Sequence, residues 1–387
     1  MRALRRRPSH VLPPVVAASI VCLAVAFGRA QEPTRPTAEL IPAPRLSLSG
    51  DMDSNSPVVW ERIEGQSILH VLTSTAGQPS IARGRDLGVL ADSTPVDFTI
   101  RPPHGVWMEA VIPDVDGTWY GYYHNEIPAD LLCGDPSRTM PRIGAARSTD
   151  FGVTWEDLGI LLEGPTGSHD CESPNRYFVG GVGDFTAVVD TDARYVYFFF
   201  SQYPSRLWRQ GVAVARMAWA DRDAPAGRLS LWTTDQWLTV EPTLDEDASG
   251  TVTTTWSYAP ATPIHRATDS WHGPDSSVDA FWGPSVHWNT FLGKYVILMT
   301  RASDSDFATA GIYIAYADAL DDPSSWTEPR LLLEGGAWYP QVMGLERGRG
   351  TDSHAGEYAR FFMGGRSDFF IRFERAEAPP AAARAAN

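Results

Sequence analysis

A pair of strand-like segments recurs five times along the chain, and this repeat limits the possible folds more than any other feature. The clearest copy runs from Gly105 to Glu126, where an apolar run, Asp116-Gly117 and an aromatic-rich run follow one another. Asp-Gly between two such runs favours a hairpin, because the turn residues must tolerate positive φ. The other copies begin near Ser56, Asp184, Trp282 and Trp338. A repeat of this kind predicts a fold assembled from similar modules.

Each copy continues into a third run of small and apolar residues, and several copies into a fourth, as in Gly159–Leu162 and Arg330–Leu333. No amphipathic helical stretch of convincing length is present, so the fold class is all-β. Four antiparallel strands repeated five times predict a five-bladed β-propeller. The fifth copy stops after its third strand. We expect Leu40–Leu48 to complete that blade as an N-terminal strand and close the ring, which removes an open sheet edge.

The ends of the chain differ in composition from the repeats. Residues 1–30 combine a basic start, the apolar run Val15–Phe27 and small residues at Gly28-Arg29-Ala30, which is typical of a secretory signal peptide. We expect a linker and closing strand at 31–46, the propeller at 47–375 and a disordered Ala/Pro tail at 376–387. The apolar run is short for a membrane span, so a secreted or periplasmic protein without stable membrane insertion is expected. Cys133 and Cys171 remain after cleavage and either pair or stay free.

The protein is acidic, with a formal net charge of −15. All five arginines of the signal region would be lost on cleavage, which makes the mature chain more acidic still. Such a surface repels phosphate backbones, so nucleic acid is not an expected partner.

One local motif supports the propeller independently. Residues 148–155 read Ser-Thr-Asp-Phe-Gly-Val-Thr-Trp and match the Asp-box hairpin, S-x-D-x-G-x-T-W. Asp150 is expected to cap the turn, Gly152 to supply its unusual backbone angles and Trp155 to pack under the blade. Asp-boxes lie on outer hairpins, so a structural role is expected.

Chemistry is expected at one face of the ring. First strands of the blades line the central channel and second strands run back to the same face. Residues that open first strands or close second strands should therefore surround one pocket. These candidates combine carboxylates, hydrogen-bonding groups and aromatic rings: Asp51, Asp53, Asn55, Trp107, Glu109, His124, Asp184, Trp282, Arg301, Trp338, Tyr339 and Gln341. Carboxylates transfer protons and aromatic faces stack on sugars, so the set predicts a carbohydrate partner and a glycosidase-like site.

The layout resembles the five-bladed propeller glycosidases, the clan of arabinanases, β-xylosidases and invertases. The resemblance covers residues 47–374 and rests on the blade count, the acidic opening of blade one and Trp-Gly-Pro-Ser-Val-His-Trp at 282–288. It implies a blade-one Asp as base or nucleophile, a blade-two Asp that orients and a blade-three Glu as acid. Asp53, or Asp51, matches the first position. Glu109 and Asp184 are interchanged relative to that pattern, Ser285 replaces a usual Asp, and Glu172 before blade three is a competing acid.

From the residues themselves we expect Glu109 to be the general acid, because a carboxylate among Met108, Ala110 and Val111 is costly unless it is used. Asp53 would then be the base or nucleophile and Asp184 the orienting group. The alternative is that Asp53 and Asp184 only cap strand ends.

His124 and His287 are candidates for hydrogen bonds to substrate or for ligands to a structural calcium ion on the axis, which some relatives hold. The alternative for each is a hydrogen-bonded histidine of the core. No metal-binding motif is present, and no cofactor is required. Arg301 and Arg366, which close adjacent blades, would suit a uronate or sialate carboxylate.

The function that these patterns favour is a secreted glycoside hydrolase acting on a polysaccharide or oligosaccharide. A non-catalytic glycan-binding propeller would keep the aromatic ring but dispense with paired carboxylates. A sialidase would need a third converging arginine, a Tyr/Glu pair and several Asp-boxes, whereas one clean copy is present.

Overall fold

Five small antiparallel sheets arranged in a ring make up the fold, which confirms the predicted five-bladed β-propeller. The computed structural model describes residues 35–50, 52–165, 167–240, 242–246, 252–256 and 258–376. The predicted signal peptide at 1–30, Asp51 and all but the first residue of the tail at 376–387 lie outside the described residues. Within the described part, no helix is long and apolar enough to cross a bilayer.

The strands follow the repeat, and the blades contain four or five strands each. The closing strand is β1 (Thr37–Ser47), and blade one contains β2 (Val58–Ile63), β3 (Gln66–Thr75), β4 (Gln78–Asp86), β5 (Val89–Leu90) and β6 (Thr94–Pro95). Blade two contains β7 (Asp97–Phe98), β8 (Gly105–Pro113), β9 (Trp119–Ala129), the short helix α1 (Asp130–Cys133), β10 (Asp135–Ser148) and β11 (Thr154–Leu162). The central hairpin of the sequence repeat is therefore β8 and β9, with β9 longer than predicted.

Blade three departs most from the repeat, because it carries extra strands. It contains β12 (Val182–Val189), β13 (Tyr195–Gln202), β14 (Gly211–Ala218), β15 (Ser230–Thr233) and β16 (Gln236–Thr239), with a separate hairpin of β17 (Pro242–Glu246) and β18 (Val252–Trp256) and with β19 (His265–Arg266) paired to β14. Single turns of 3-10 helix occur at Leu207–Arg209 and Trp219–Asp221, and a third at Pro323–Ser325.

Blades four and five complete the ring. Blade four contains β20 (Ser277–Asn289), β21 (Lys294–Asp304), β22 (Thr309–Ala317) and β23 (Arg330–Glu334); blade five contains β24 (Gln341–Gly344), β26 (Tyr358–Met363) and β27 (Arg366–Glu374), while β25 (His354–Ala355) pairs with β20. The closing strand β1 pairs antiparallel with β27, with Leu40 opposite Ile371. The predicted closure by an N-terminal strand is confirmed, and it covers the edge that β27 would otherwise expose.

Large side chains fill the space between neighbouring blades. Tyr122 of blade two packs edge-on against Phe198 of blade three, with ring centroids 4.8 Å apart, and both rings are fully buried. Burying a side chain of this size stabilises the fold by roughly 1.5–3 kcal/mol. The inner strands are therefore fixed from both sides, and residues at their ends occupy defined positions.

The hairpin between β10 and β11 has the contacts expected from residues 148–155. Asp150 Oδ1 accepts the Thr154 amide over 2.8 Å, and Ser148 Oγ accepts the Gly152 amide over 2.9 Å. Gly152 has φ of 81°, where a side chain would be strained, and the fully buried indole of Trp155 donates to its carbonyl over 3.0 Å. The hydrogen bonds of Asp150 serve the turn and support a structural role.

Candidate active site

One pocket of about 180 Å³ lies where first strands begin and second strands end. Its polar lining consists of Asp53, His124, Glu126 and Asp184, and its aromatic lining of Trp107, Tyr177, Phe178, Trp282, Phe307, Trp338 and Tyr339. The structure thus brings seven of the predicted site residues together: Asp53, Trp107, His124, Asp184, Trp282, Trp338 and Tyr339. A concave, mostly apolar pocket with a few converging polar groups is the usual form of a small-molecule site.

Asp53 lies in the irregular segment before β2. Its Oδ1 accepts the indole N–H of Trp107 over 2.7 Å. Burial raises the pKa of Asp53 to about 6, although the hydrogen bond from Trp107 works in the opposite direction. Asp53 can therefore hold a proton under mildly acidic conditions, where an exposed aspartate would be ionised.

Asp184 interrupts the regular pairing of β12 and β13 with a positive φ of 45°. Tyr203 donates its hydroxyl to Oδ2 over 2.5 Å and Tyr339 donates to Oδ1 over 2.7 Å. Burial, and next the charge of Asp184, raises the pKa of both tyrosines well above the usual value, so they remain protonated donors. Each oxygen of the Asp184 carboxylate therefore accepts one tyrosine hydroxyl.

Some of the residues that line this pocket have a strained backbone. Phe307 and Tyr339 also have positive φ, of 64° and 54°. For a bulky residue such a conformation is unfavourable and persists only when the surrounding structure enforces it. Three lining residues, counting Asp184, are strained in this way, which is typical of a functional site.

His124 joins Asp184 to Glu126. The Asp184 amide donates to Nδ1 over 3.0 Å, so Nε2 carries the ring proton and faces Glu126 Oε1 at 3.1 Å. Burial lowers the pKa of His124, but the bond to Glu126 and the charges of Asp184 and Asp53 raise it above the usual value overall. The amide at Nδ1 opposes a second proton, because a protonated Nδ1 cannot accept that bond. The two contacts therefore fit a neutral ring with its proton on Nε2.

Glu109 lies beneath the pocket rather than in its wall. The residue is 1% exposed, and its Oε2 accepts the Asn55 amide over 2.8 Å. Ligand-type atoms of Glu109, His124 and Asp184 all lie within 4.8 Å of one another. Burial, followed by the charge of Asp184, raises the pKa of Glu109 well above the usual value, which favours its protonated form. The sequence predicted Glu109 as the general acid, but its side chain does not line the pocket.

Two other predicted site residues tie the blades together at the axis. Asn55 donates from Nδ2 to the carbonyls of Phe185 and Pro284, over 2.9 and 3.2 Å. Gln341 accepts the Ser56 amide over 2.7 Å. Both side chains are buried, and neither lines the pocket. They hold first strands of different blades in register and so position the residues above them.

Four further predicted residues lie elsewhere. His287 is 1% exposed, packs 5.5 Å from Phe373 and has its pKa lowered to about 3, first by burial. Arg301 is paired with Asp279, with Nη2 at 2.7 Å from Oδ2. Glu172 and Arg366 are exposed and outside the pocket lining. His287, Arg301 and Arg366 lie in strands, where successive side chains point to opposite faces, and Glu172 lies in a turn before β12.

The group of Glu109, His124 and Asp184 does not suit the calcium ion considered from the sequence. Calcium takes six to eight oxygen ligands. Both Asp184 oxygens already accept tyrosine hydroxyls, one Glu109 oxygen accepts an amide, and His124 offers nitrogen with both ring positions engaged. No step below is routed through a cation.

Sequence reasoning missed five residues of the site: Glu126, Tyr177, Phe178, Tyr203 and Phe307. Glu126 had a usable signal, because strand alternation places it on the same face of β9 as His124. Tyr177 and Phe178 come from the irregular segment between β11 and β12, and Phe307 from the turn between β21 and β22. No periodic pattern marks such positions.

A disulfide and an arginine brace the loop that carries Tyr177 and Phe178. Cys133 and Cys171 are bonded, with Cα atoms 5.3 Å apart, which settles the pairing that the sequence left open. Arg138 donates to the carbonyls of Cys171 and Ser173, over 2.7 and 2.9 Å. The loop wall of the pocket is thereby anchored to blade two.

The chain was compared with known proteins. No family model matches it, and no curated protein does. Among solved structures, an endo-arabinase from Bacteroides thetaiotaomicron VPI-5482 shares 11% identity over 87% of this chain and 98% of that chain, with a TM-score of 0.46. A thermostable family-43 glycoside hydrolase shares 12% identity over 87% and 94%, with a TM-score of 0.46. An alpha-L-arabinofuranosidase from Lactobacillus brevis shares 14% identity over 81% and 89%, with a TM-score of 0.45.

These likenesses are weak in both sequence and superposition, so they carry no argument about activity. The function has to be inferred from the pocket itself.

Proposed function

We propose that this protein is a glycoside hydrolase that acts at the pocket of Asp53, Glu126 and Asp184. One observation carries the proposal: three carboxylates in different environments line a single small aromatic pocket. Glycoside hydrolysis requires one carboxyl group that holds a proton and another that is ionised. Asp53, with its raised pKa, and Asp184, with its two tyrosine donors, meet these two requirements.

The lining restricts the substrate. Neither lysine nor arginine is among the pocket residues, so the bound group is neutral instead of a uronate or sialate. The ring faces of Trp107, Trp282 and Trp338 supply apolar surface for sugar rings. A volume of about 180 Å³ holds little more than one sugar unit. We infer that the enzyme removes terminal neutral sugars from a longer glycan.

The roles follow from the environments of the carboxylates. Asp53 donates its proton to the glycosidic oxygen while the bond to the anomeric carbon breaks. Asp184 stabilises the positive charge that develops on the sugar ring. Glu126 either attacks the anomeric carbon or takes a proton from the water that does so, and His124 holds it by the hydrogen bond from Nε2. In either case one water is consumed and two sugars with free hydroxyls result.

These roles modify what the sequence suggested for Glu109. Because its side chain is sealed beneath the floor, it acts through Asp184 rather than on the substrate. A protonated Glu109 lets Asp184 carry the negative charge of the pair, since two carboxylates this close do not both ionise readily. Glu109 is therefore a positioning residue in this proposal.

The proposal includes export from the cytoplasm. The signal-like residues 1–30 were the basis of that expectation. The Cys133–Cys171 disulfide supports it, because such bonds persist in oxidising compartments.

A glycan-binding protein without activity is the second candidate. One observation favours it: Asp184 already has both oxygens engaged by tyrosines, and Glu109 is inaccessible. A screen of the mature protein against aryl glycosides and plant or microbial polysaccharides separates the two. Release of sugar supports the hydrolase. Binding on a glycan array without release would replace it with the binding protein.

A further inference from the structure

Trp208 is unlike the other tryptophans of this chain. Of the 14, it is the only one that is exposed, at 54%. It lies in the loop between β13 and β14, within the 3-10 turn Leu207–Arg209. An exposed tryptophan on a structured loop is a typical feature of a binding surface.

The ring of Trp208 is held in place by its neighbour. The Arg209 guanidinium lies 4.3 Å from the ring centroid, and its Nη1 donates to the Pro260 carbonyl over 2.8 Å. A cation over one face of an indole orients the ring. The exposed part of the ring is left for a ligand, and little further ordering is needed on binding.

The loop of Trp208 joins β13 to β14 at the end of blade three where Asp184 lies. It begins after Tyr203, whose hydroxyl bonds to Asp184 on the pocket floor. The Ser205 amide donates to the Ser168 carbonyl over 2.7 Å, which links the loop to the segment carrying Tyr177 and Phe178. A glycan that extends out of the pocket on this side passes over blade three.

Positive charge without counter-ions surrounds Trp208. Burial and the nearby charge of Arg266 lower the pKa of Arg209, which makes no ion pair among the described residues. The side chains of Arg206 and Arg266 likewise have no hydrogen-bond or ion-pair partner in the described part of the chain. In a protein of charge −15, whose pocket lining contains neither lysine nor arginine, such a patch favours an anionic ligand.

We propose that Trp208, Arg206, Arg209 and Arg266 form an outer subsite for a sugar that carries a carboxylate, a uronate. The sugar ring stacks on the free face of Trp208, and the arginines bind its carboxylate. The substrate is then an acidic polysaccharide whose neutral terminal sugar enters the pocket while a uronate of the same chain lies on blade three. This inference rests on the proposed function for the order of the sugars, but the subsite is tested by binding alone.

The test is titration calorimetry with a turnover-deficient Asp53→Asn protein and two forms of one oligosaccharide. The first form has a neutral terminal sugar and an internal uronate. The second is the same compound after reduction of the carboxyl group to the alcohol. We expect the acidic form to bind about tenfold more tightly at low salt, the effect of a charged hydrogen bond. The preference should shrink at high salt, because exposed charges are screened.

Variants locate the subsite. Trp208→Ala should weaken the binding of both forms by about tenfold. Arg266→Gln and Arg206→Gln should remove the preference for the acidic form and leave the reduced form unaffected, because neither side chain holds the ring of Trp208. Arg347→Gln is the matched control, since Arg347 is exposed and follows β24 at the end away from Tyr339. Equal binding of the two forms, or a preference that survives Arg266→Gln and Arg206→Gln, would overturn the subsite.

The two proposals fail separately. Cleavage of neutral aryl glycosides by the native chain, without any preference for the uronate, would remove only the subsite. A preference for the uronate without cleavage of any glycoside would remove the hydrolase and leave the subsite.

Discussion

The indole of Trp107 donates to Asp53 over 2.7 Å, and this bond joins the first strand of blade two to the segment that opens blade one. Trp107 in turn lies directly opposite His124 in the pairing of β8 with β9, and their rings meet edge-on at 5.4 Å. The same tryptophan therefore positions one carboxylate and packs against the histidine that holds another. Both outcomes follow from the register of one hairpin.

The first prediction concerns the free energy of unfolding, which the burial of the ionised Asp53 carboxylate lowers. Its pKa of about 6 lies above the usual 3.8, so the folded state disfavours ionisation. This destabilisation of the folded state is fully present above pH 6 and absent below about pH 4. Asp53→Asn should therefore raise the free energy of unfolding at pH 7.5 by about 1–2 kcal/mol, allowing for solvent screening. Thermal melts at pH 4 and 7.5 measure this; an equal effect at both values would exclude a raised pKa.

The second prediction concerns the pH dependence of activity. If Asp53 donates the proton, the active enzyme is the protonated form, and kcat/KM should fall as pH rises through about 6. The measurement is kcat/KM on an aryl glycoside between pH 4 and 8. If kcat/KM instead rises as pH increases through 6, Asp53 is the base, as the sequence suggested.

The third prediction separates Glu109 from the pocket carboxylates. Burial raises the pKa of Glu109 and so favours its neutral form, whose shape and charge Glu109→Gln preserves. We expect the melting temperature to stay close to that of the native protein and kcat to fall by no more than about tenfold, well short of the 10²–10⁴ of a lost acid or base. Steady-state kinetics on a folded variant decide this. Loss of activity as complete as in Asp53→Asn would return the role of acid to Glu109.

The fourth prediction concerns the Cys133–Cys171 bond, which closes a loop of 38 residues. Replacing both cysteines by alanine should lower the free energy of unfolding by about 2–4 kcal/mol. KM should rise more than kcat falls, because the loop of Tyr177 and Phe178 shapes the pocket wall without supplying a carboxylate. Denaturant melts and kinetics, with and without a reductant on the native protein, test both parts. Unchanged KM would show that the wall does not depend on the bond.

The fold was predictable from sequence because several separate features indicated the same architecture. Alternating apolar runs, Asp-Gly and other turn residues, and the missing fourth strand of the last copy all indicated the same ring, including its closure by β1. Blade three was less predictable, since β15 to β19 lack the regular spacing of the other blades. Their positions are set by packing on β14 instead of by a local pattern.

The site was predictable only where it is made of strand ends. Asp53, Trp107, His124 and Asp184 were identified in this way, and they do line one pocket. The orientation of Glu109 was not predictable, because the bulge between Met108 and Ala110 interrupts the alternation at that residue. Tyr203 and Phe307 reach the pocket from loops, whose paths depend on contacts distant in sequence.

The most direct test of the account compares Asp53→Asn with the native protein on two glycosides of the same sugar, one with a poor leaving group and one with 2,4-dinitrophenolate. Only the poor leaving group needs a proton from Asp53 on its glycosidic oxygen as it departs. The account predicts that kcat/KM falls by about 10²–10⁴ for the former and remains nearly unchanged for the latter. Asp92→Asn, at an exposed position, is the control and should behave as the native protein. Equal losses on both substrates, or no loss on either, would contradict Asp53 as the proton donor.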